Sequence, residues 1–361
     1  MTEKEYLIAL STFISIGPMR TKLLLSYFKS AKKIWSASCK DLLEVGLGEK
    51  LVTKFLEHRK KFDVERYFLN LKKESVNAVT INDPDYPENL KDLEDAPFVL
   101  YVKGVLKRTD SRAVAIIGTR MMTSYGREVT QKLAGELASY GITVISGLAL
   151  GVDAESQRSA LSAGGRTIAV LASGLDIISP LTNKQLALDI ISKNSGAVVS
   201  EYPLGYGPFP YDFPVRDRLI SGLSKAVVVI EGRMKSGTFY TVNAAAAQNR
   251  PVFAVPGPIT SPASVGPNYL IQNGAKPITS ARDVLDELHL QLKVDPEAVE
   301  KVMPGSPIES KIVEILECEP LHLDEVVRMT GIATAEVSAR LTIMEMKGLV
   351  RSLGGGIYKR I

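Results

Sequence analysis

The sequence predicts an α/β fold: a doubly wound, mostly parallel sheet with a helical domain before it and a winged helix after it. Three patterns predict it. Short β-branched runs alternate with helix-length stretches from residue 112 to residue 257, which is how a parallel sheet with crossover helices reads. Residues 1–68 show only helical periodicity broken by glycine turns. Residues 308–361 show three helical patterns and then two short strands around glycines. The expected domains are therefore a helical domain at 1–68, the sheet domain at 69–290, a linker at 291–307 and the winged helix at 308–361.

Taken in order, "FISIGPMRTKLLLSYF" and "LLEVGLGEKLVTKFLEHR" each place a glycine turn between helical patterns, and Gly46-Leu47-Gly48 has the form of a helix-hairpin-helix turn. Such a turn either offers backbone N–H groups to a phosphate or only packs two helices. Residues 76–105, with "NDPDYPENL" in the middle, read as a turn-rich connection. Buried strands are expected at 113–118, 142–147, 167–174, 197–201, 226–232 and 251–257, and helices at 122–140, 152–163, 183–194 and 239–249. In such a Rossmann-like sheet, ligands bind beyond the carboxyl ends of the strands. Those ends carry Gly118-Thr119-Arg120, Ser146-Gly147, Ser173-Gly174, Ser200-Glu201, Glu231-Gly232 and Pro256-Gly257, so small and polar residues gather on one rim. The linker "QLKVDPEAVEKVMPGSP" is polar and contains prolines. Beyond it, a "TGI" turn precedes the expected recognition helix, 333–347, where Arg340 and Lys347 stand with two glutamates. That is poor material for groove binding and favours a protein contact or a weak nucleic-acid contact.

Composition narrows the class. Hydrophobic residues make up 45% of the chain, yet no apolar run reaches the roughly 18 residues of a membrane span. The N-terminal stretch lacks a signal-peptide pattern, so a cytoplasmic address without membrane contact is expected. Cys39 and Cys318 are the two cysteines, far apart and without CxxC spacing, which supports neither a disulfide scaffold nor a metal site. The net charge of +4 is uneven: residues 1–75 carry +6 and the remainder −2, a hint of a polyanionic partner.

"VISGLALGVDAESQRSAL" runs a strand through glycines into a helix, the shape of a phosphate-binding turn. A dinucleotide enzyme needs G-x-G-x-x-G in its first turn and an acid after its second strand. Here the first turn is "GTRMMTSYG" and the second strand ends in Ser146-Gly147, so no nicotinamide cofactor is expected. A P-loop is missing too. His58, His289 and His322 lie at or beyond the edges of the sheet domain, and Glu201, Glu231 and Asp153 read as caps or hydrogen-bond acceptors. No nucleophile–base pair follows from spacing, so no catalysis is expected.

What the rim offers is cations and hydroxyls. "FPVRDRLISGLS" sets Arg216 and Arg218 two apart ahead of the strand at 226–230. In an extended stretch both point the same way and each fork grips a phosphate, with Phe213 offering a flat face to a base. The competing reading pairs them with Asp212 or Asp217 in surface salt bridges. Arg120, Lys235, Ser236 and Thr238 add further donors, a set suited to a run of single-stranded phosphates.

On these residues the chain resembles the DNA-processing protein A (DprA/Smf) family, single-strand DNA-binding proteins of bacterial natural transformation. The resemblance rests on "DPDYPENL", "AIIGTR", "SGLALGVDAESQRSAL", "TIAVLASGLDIISP", "VVSEYPLG", "FPVRDRLISGLS" and "VFAVPGPITSPASVGPNYLIQNGA", in that order across residues 70–280. Many members also carry an N-terminal helical (helix-hairpin-helix or SAM-like) domain and a C-terminal winged helix. The resemblance implies a protein that binds and protects incoming single-stranded DNA and loads RecA recombinase onto it. It further implies a homodimer through the Rossmann-like domain, with no catalytic activity. Carried over position by position, the DNA contacts are Gly118, Thr119, Arg120, Ser146, Gly147, Phe213, Arg216, Arg218, Lys235, Ser236, Gly237 and Thr238, with Asn268 shaping the rim. Departures are Asp217 where the family has Asn, Val215 where it has Arg or Lys, Gln157 where it has His, Ala172 where it has Gly, and Ser179-Pro180 where it has Tyr-Pro. The first two place less positive charge where phosphates should pass. Replacing Arg216 and Arg218 together by Ala is expected to abolish binding and leave the fold intact.

Two other functions remain as rivals. One is a Rossmann-like nucleoside monophosphate phosphoribohydrolase, although "MKSGTFYT" lacks the glycine pair and acid of such enzymes. The other is a winged-helix transcription regulator, against which the weak charge of 333–347 speaks.

Overall fold

The structure is a computed structural model that describes residues 1–192, 195–290, 307–317, 319–346 and 349–360. The expected linker lies outside the described residues except for the backbone of Pro307, and so does Lys347. The chain divides into two compact units, Met1–Gln291 and Leu292–Ile361.

The first unit opens with helices α1 (Glu3–Ser11), α2 (Pro18–Phe28), α3 (Ala31–Ser36), α4 (Cys39–Glu44), α5 (Glu49–Lys61) and α6 (Val64–Lys73). Local chemistry sets their starts. Thr2 and Glu5 form a reciprocal capping box on α1, Ser38 and Asp41 do the same on α4, and Pro18 opens α2 where its missing N–H costs nothing. Leu24, Ile34, Leu42, Val52 and Phe55 form a fully buried helical core. Leu47 belongs to that core, so the Gly46–Gly48 turn does pack two helices. Leu7 and Ile8 of α1 cross into the core of the sheet, and Ser11 Oγ lies 2.8 Å from Tyr101 Oη.

The sheet comprises β1 (Asn77–Thr80), β2 (Val99–Gly104), β3 (Ala113–Ile117), β4 (Thr143–Ser146), β5 (Thr167–Val170), β6 (Gly196–Ser200), β7 (Ala226–Val229), β8 (Val252–Ala254) and β9 (Lys276–Pro277). Its order is β1-β2-β6-β5-β4-β3-β7-β8-β9. The β1–β2 and β2–β6 pairs are antiparallel and all the others parallel. The six expected strands are all present, five of them trimmed towards their apolar centres and β6 shifted one residue earlier. Residues 76–105 are more than a connection, because they contain β1, β2 and the short helix α7 (Glu88–Lys91). Crossover helices are α8 (Ser124–Ser139), α9 (Val152–Ser162), α10 (Lys184–Ser192), α11 (Asp212–Leu223) and α12 (Thr238–Ala247), followed by α13 (Val265–Gln272) and α14 (Ala281–Glu287).

Strand alternation makes the fold doubly wound. Ala113, Ala115 and Ile117 pack on one face with Leu219 and Ile220 of α11 and Val242 of α12. Val114 and Ile116 pack on the other with Leu133 and Leu137 of α8. From β3 the chain steps outward to β6 and returns to β7 on the opposite side of β3. The crevice between the loops after β3 and β7 is therefore the topological switch point.

The second unit has helices α15 (Pro307–Ile315), α16 (Leu323–Thr330) and α17 (Thr334–Met346). Strands β10 (Leu321–His322), β11 (Val350–Gly354) and β12 (Ile357–Arg360) form an antiparallel sheet in the order β10-β12-β11. This is the winged-helix layout expected of the sequence. Arg340, on the expected recognition helix, turns inward to Glu309, which is buried (3.8 Å).

Candidate nucleic-acid interface

The site is built on the loops at the switch point. Glu231, buried just after β7, accepts hydrogen bonds from Thr123 N (2.9 Å) and Thr123 Oγ1 (2.6 Å) at the start of α8, and its backbone oxygen accepts from Thr119 N (2.8 Å). A carboxylate at a helix N-terminus is favourable by up to about 2 kcal/mol when partly buried. Gly126 is required by this arrangement, since a Cβ there would collide with the Glu231 carboxylate. Glu231 thus ties the loop after β3 to the loop after β7.

Helix α11 carries the main correction to the sequence reading. Residues 212–223 are helical, not extended. Pro214 sits in the first turn, where a missing N–H is tolerated, so it does not break the helix. Residues two apart on a helix are about 200° apart around its axis, so Arg216 and Arg218 face opposite ways.

Arg216 is 4% exposed. Its Nη1 donates to Gly147 O (2.8 Å) and to Val170 O, and its Nε donates to Asp217 Oδ1 (3.0 Å). A Cβ at residue 147 would lie 2.6 Å from Nη1, so the glycine of the second turn admits a guanidinium rather than a phosphate. Asp153 beside it accepts from Gly147 N (3.1 Å), and burial pushes its pKa up to about 6 against the opposing pull of Arg216. Burial also raises the Asp217 pKa, again opposed by Arg216. Asp217 therefore offsets the charge of Arg216 beside it. Ser146, fully buried, donates to Ile116 O (2.7 Å).

Arg218, on the far side of α11, donates to Glu201 and to Asp95 O (2.9 Å) and pairs with Asp95 Oδ2 (3.3 Å). Arg216 thus pairs with Asp217, as the competing reading had it, but in a buried pair rather than a surface salt bridge, and Arg218 takes Glu201 and Asp95. Removing both arginines would strip buried carboxylates of their counter-charges, so the expectation that the double substitution spares the fold is corrected.

Above this floor lies a cleft of about 660 Å³. It brings together Gly118, Thr119, Arg120, Phe213, Arg216, Ser236, Gly237 and Thr238, eight of the expected positions, and adds Tyr240 and Thr241. Two guanidinium groups lie near the Phe213 ring, with Arg120 Cζ and Arg216 Cζ each 5.7 Å from its centroid. Arg120 is exposed. Helix α12 starts at the cleft with no side-chain cap on its N-terminus, and Ser236 Oγ is buried there without a hydrogen-bond partner. Phe239 N and Tyr240 N donate to Ser236 O (3.1 Å) and Gly237 O (3.0 Å), so what the start of α12 offers an anion is the positive end of its dipole with the Ser236 and Thr238 hydroxyls.

The remaining expected positions lie elsewhere. Ser146 and Gly147 sit beneath Arg216, and Arg218 faces away. Lys235 is exposed on the loop leading to α12 with φ +59°. Asn268 braces the loop after β8 by donating to Gly257 O (3.0 Å) and accepting from Gly257 N (3.2 Å). Sequence reasoning passed over the stacked aromatics of 202–211, for which the run "YPLGYGPFPYDF" was the available signal. Among the described residues no cluster of His, Cys, Asp or Glu is placed to hold a metal ion, and no described helix is long and apolar enough to cross a membrane.

Known proteins match both parts of the fold. The DNA recombination-mediator protein A family matches residues 77–289, and the DprA winged helix domain matches residues 296–356. The chain is 34% identical to Protein Smf of Synechocystis sp. over 99% of both chains. It is 40% identical to DNA processing protein DprA of Bacillus subtilis, over 63% of this chain and 79% of that protein. The crystal structure of DprA from Streptococcus pneumoniae superposes with a TM-score of 0.67 at 32% identity, covering 80% of this chain and 98% of that one. A DprA structure from Helicobacter pylori, described for its single-stranded DNA binding mode, gives 0.53 at 32% identity over 59% of this chain and 95% of that one. With both the sheet and the winged helix matched, the chain belongs to the DNA recombination-mediator protein A family.

Proposed function

We propose that this protein binds and protects incoming single-stranded DNA in the cleft over α11 and α12 and loads RecA recombinase onto it during natural transformation. The observation that carries this reading is the Phe213 ring held beside exposed Arg120, next to the N-terminus of α12. A base stacks on the ring while a phosphate takes the Arg120 guanidinium and the hydroxyls at the start of α12. Arg216, Ser146 and Gly147 act from below by holding the floor, and Lys235 adds charge at the rim. The acids nearest the cleft are engaged, Glu231 with Thr123, Asp153 with Gly147 and Asp217 with Arg216, which favours binding over catalysis. A homodimer through the Rossmann-like domain is supported by exposed Ile259 and by Val265 and Tyr269, one turn apart on α13 beside the sheet's short edge.

A gel-shift comparison of single- and double-stranded oligonucleotides at two salt concentrations tests the reading. Single strands should bind more tightly, with affinity falling steeply as salt rises because counterions are released. Arg120→Ala should cost about tenfold in affinity and lower the salt slope by about one. Equal binding by this variant would remove the cleft from consideration.

A further inference from the structure

Helix α11 serves two clefts. Phe213, Arg216 and Asp217 line the one already described, and Asp212, Val215 and Arg218 line another of about 390 Å³ on the opposite side. This second cleft is walled by Leu10 of α1, Ile14 of the turn after it and Met19 of α2, and by Tyr202, Tyr206 and Tyr211. The aromatic wall is a stack. Tyr202 and Tyr206 lie 4.7 Å apart at 9°, Tyr206 meets Phe209 edge-on at 5.4 Å, and Phe209 and Tyr211 lie 5.5 Å apart at 1°. Phe209 and Tyr211 are 43% and 65% exposed, so the stack ends in exposed rings. Glu201 lines the same cleft, nine-tenths buried, with one oxygen on Arg218 and Oε1 without a hydrogen-bond partner.

We propose that this cleft is a second seat for unpaired bases, taking the continuation of the strand held in the first. The inference rests on the single-strand reading above. Continuity carries it: Pro210 lines the first cleft and Tyr211, the next residue, lines the second, so a strand rounding the start of α11 meets the exposed rings directly. Charge selects the occupant. Glu201 and Asp95 face a single Arg218, an acid surplus that repels phosphate, whereas a flat base with an N–H edge fits both the rings and the unpaired Glu201 oxygen.

The test compares a thymidine tetranucleotide with a dodecanucleotide by fluorescence anisotropy, on the full chain and on Tyr211→Ala. Base–aromatic stacking predicts about a tenfold loss of dodecanucleotide affinity in the variant and no change for the tetranucleotide. A dodecanucleotide abasic beyond its fourth position should bind the unaltered protein like the tetranucleotide. If Tyr211→Ala binds the dodecanucleotide as well as the unaltered protein does, the cleft serves a protein segment instead and the proposal is overturned. Should the unaltered protein bind neither oligonucleotide, the single-strand reading itself falls and takes this one with it. Arg120→Ala separates the two failures, because it should weaken both lengths.

Discussion

Two arginines two residues apart do different work. Arg218 neutralises Glu201, whose pKa burial raises while the guanidinium opposes the rise. Breaking a buried pair leaves an uncompensated charge, so Arg218→Ala should lose on the order of 3 kcal/mol in urea unfolding, and adding Glu201→Gln should restore most of it. Asp153 gives a pH signature. Its folded pKa of about 6 lies above the ordinary 3.8, so the folded state holds the proton more tightly. That contribution is complete below about pH 4 and is lost as pH climbs through 6, in the same direction as the raised Asp217 and Glu201. Asp153→Asn keeps an acceptor for Gly147 N and should flatten that part of the slope in urea titrations between pH 4 and 7. None of this was legible from the spacing of Arg216 and Arg218, because two positions share a face on a strand and oppose each other on a helix.

Among the elements, those with continuous apolar runs were legible. The strand "AVAIIG" and its five companions announce burial on both faces, and their order fixes which loops share a rim. Two kinds of element were hidden. Helix α11 begins with Asp and Pro, residues that punctuate turns yet are also favoured in a helix's first turn. Strands β1 and β2 flank the proline-rich "NDPDYPENL", whose turns obscured the pairing across it, and neither strand has a crossover helix to mark it. The loops after β3 and β7 do meet at one cleft, because strand order does not depend on which way a neighbouring helix turns, whereas Ser146 and Gly147 lie beneath Arg216 instead.

For the whole molecule, the sheet ends in a two-residue strand, and apolar side chains stand exposed beside it. Ile259 is 91% exposed, and Val265 and Tyr269 share a face of α13. If that surface joins two copies, Ile259→Asp combined with Tyr269→Asp should halve the mass seen by sedimentation while leaving thermal stability within a few degrees. The tie between Glu231 and Thr123 has a kinetic consequence. It holds the two lips of the crevice in register before any ligand arrives, so capture amounts to docking on a preset mould rather than wrapping a mobile flap around the guest. Association should therefore be a single concentration-dependent phase whose speed follows ionic strength, with no slower isomerisation behind it.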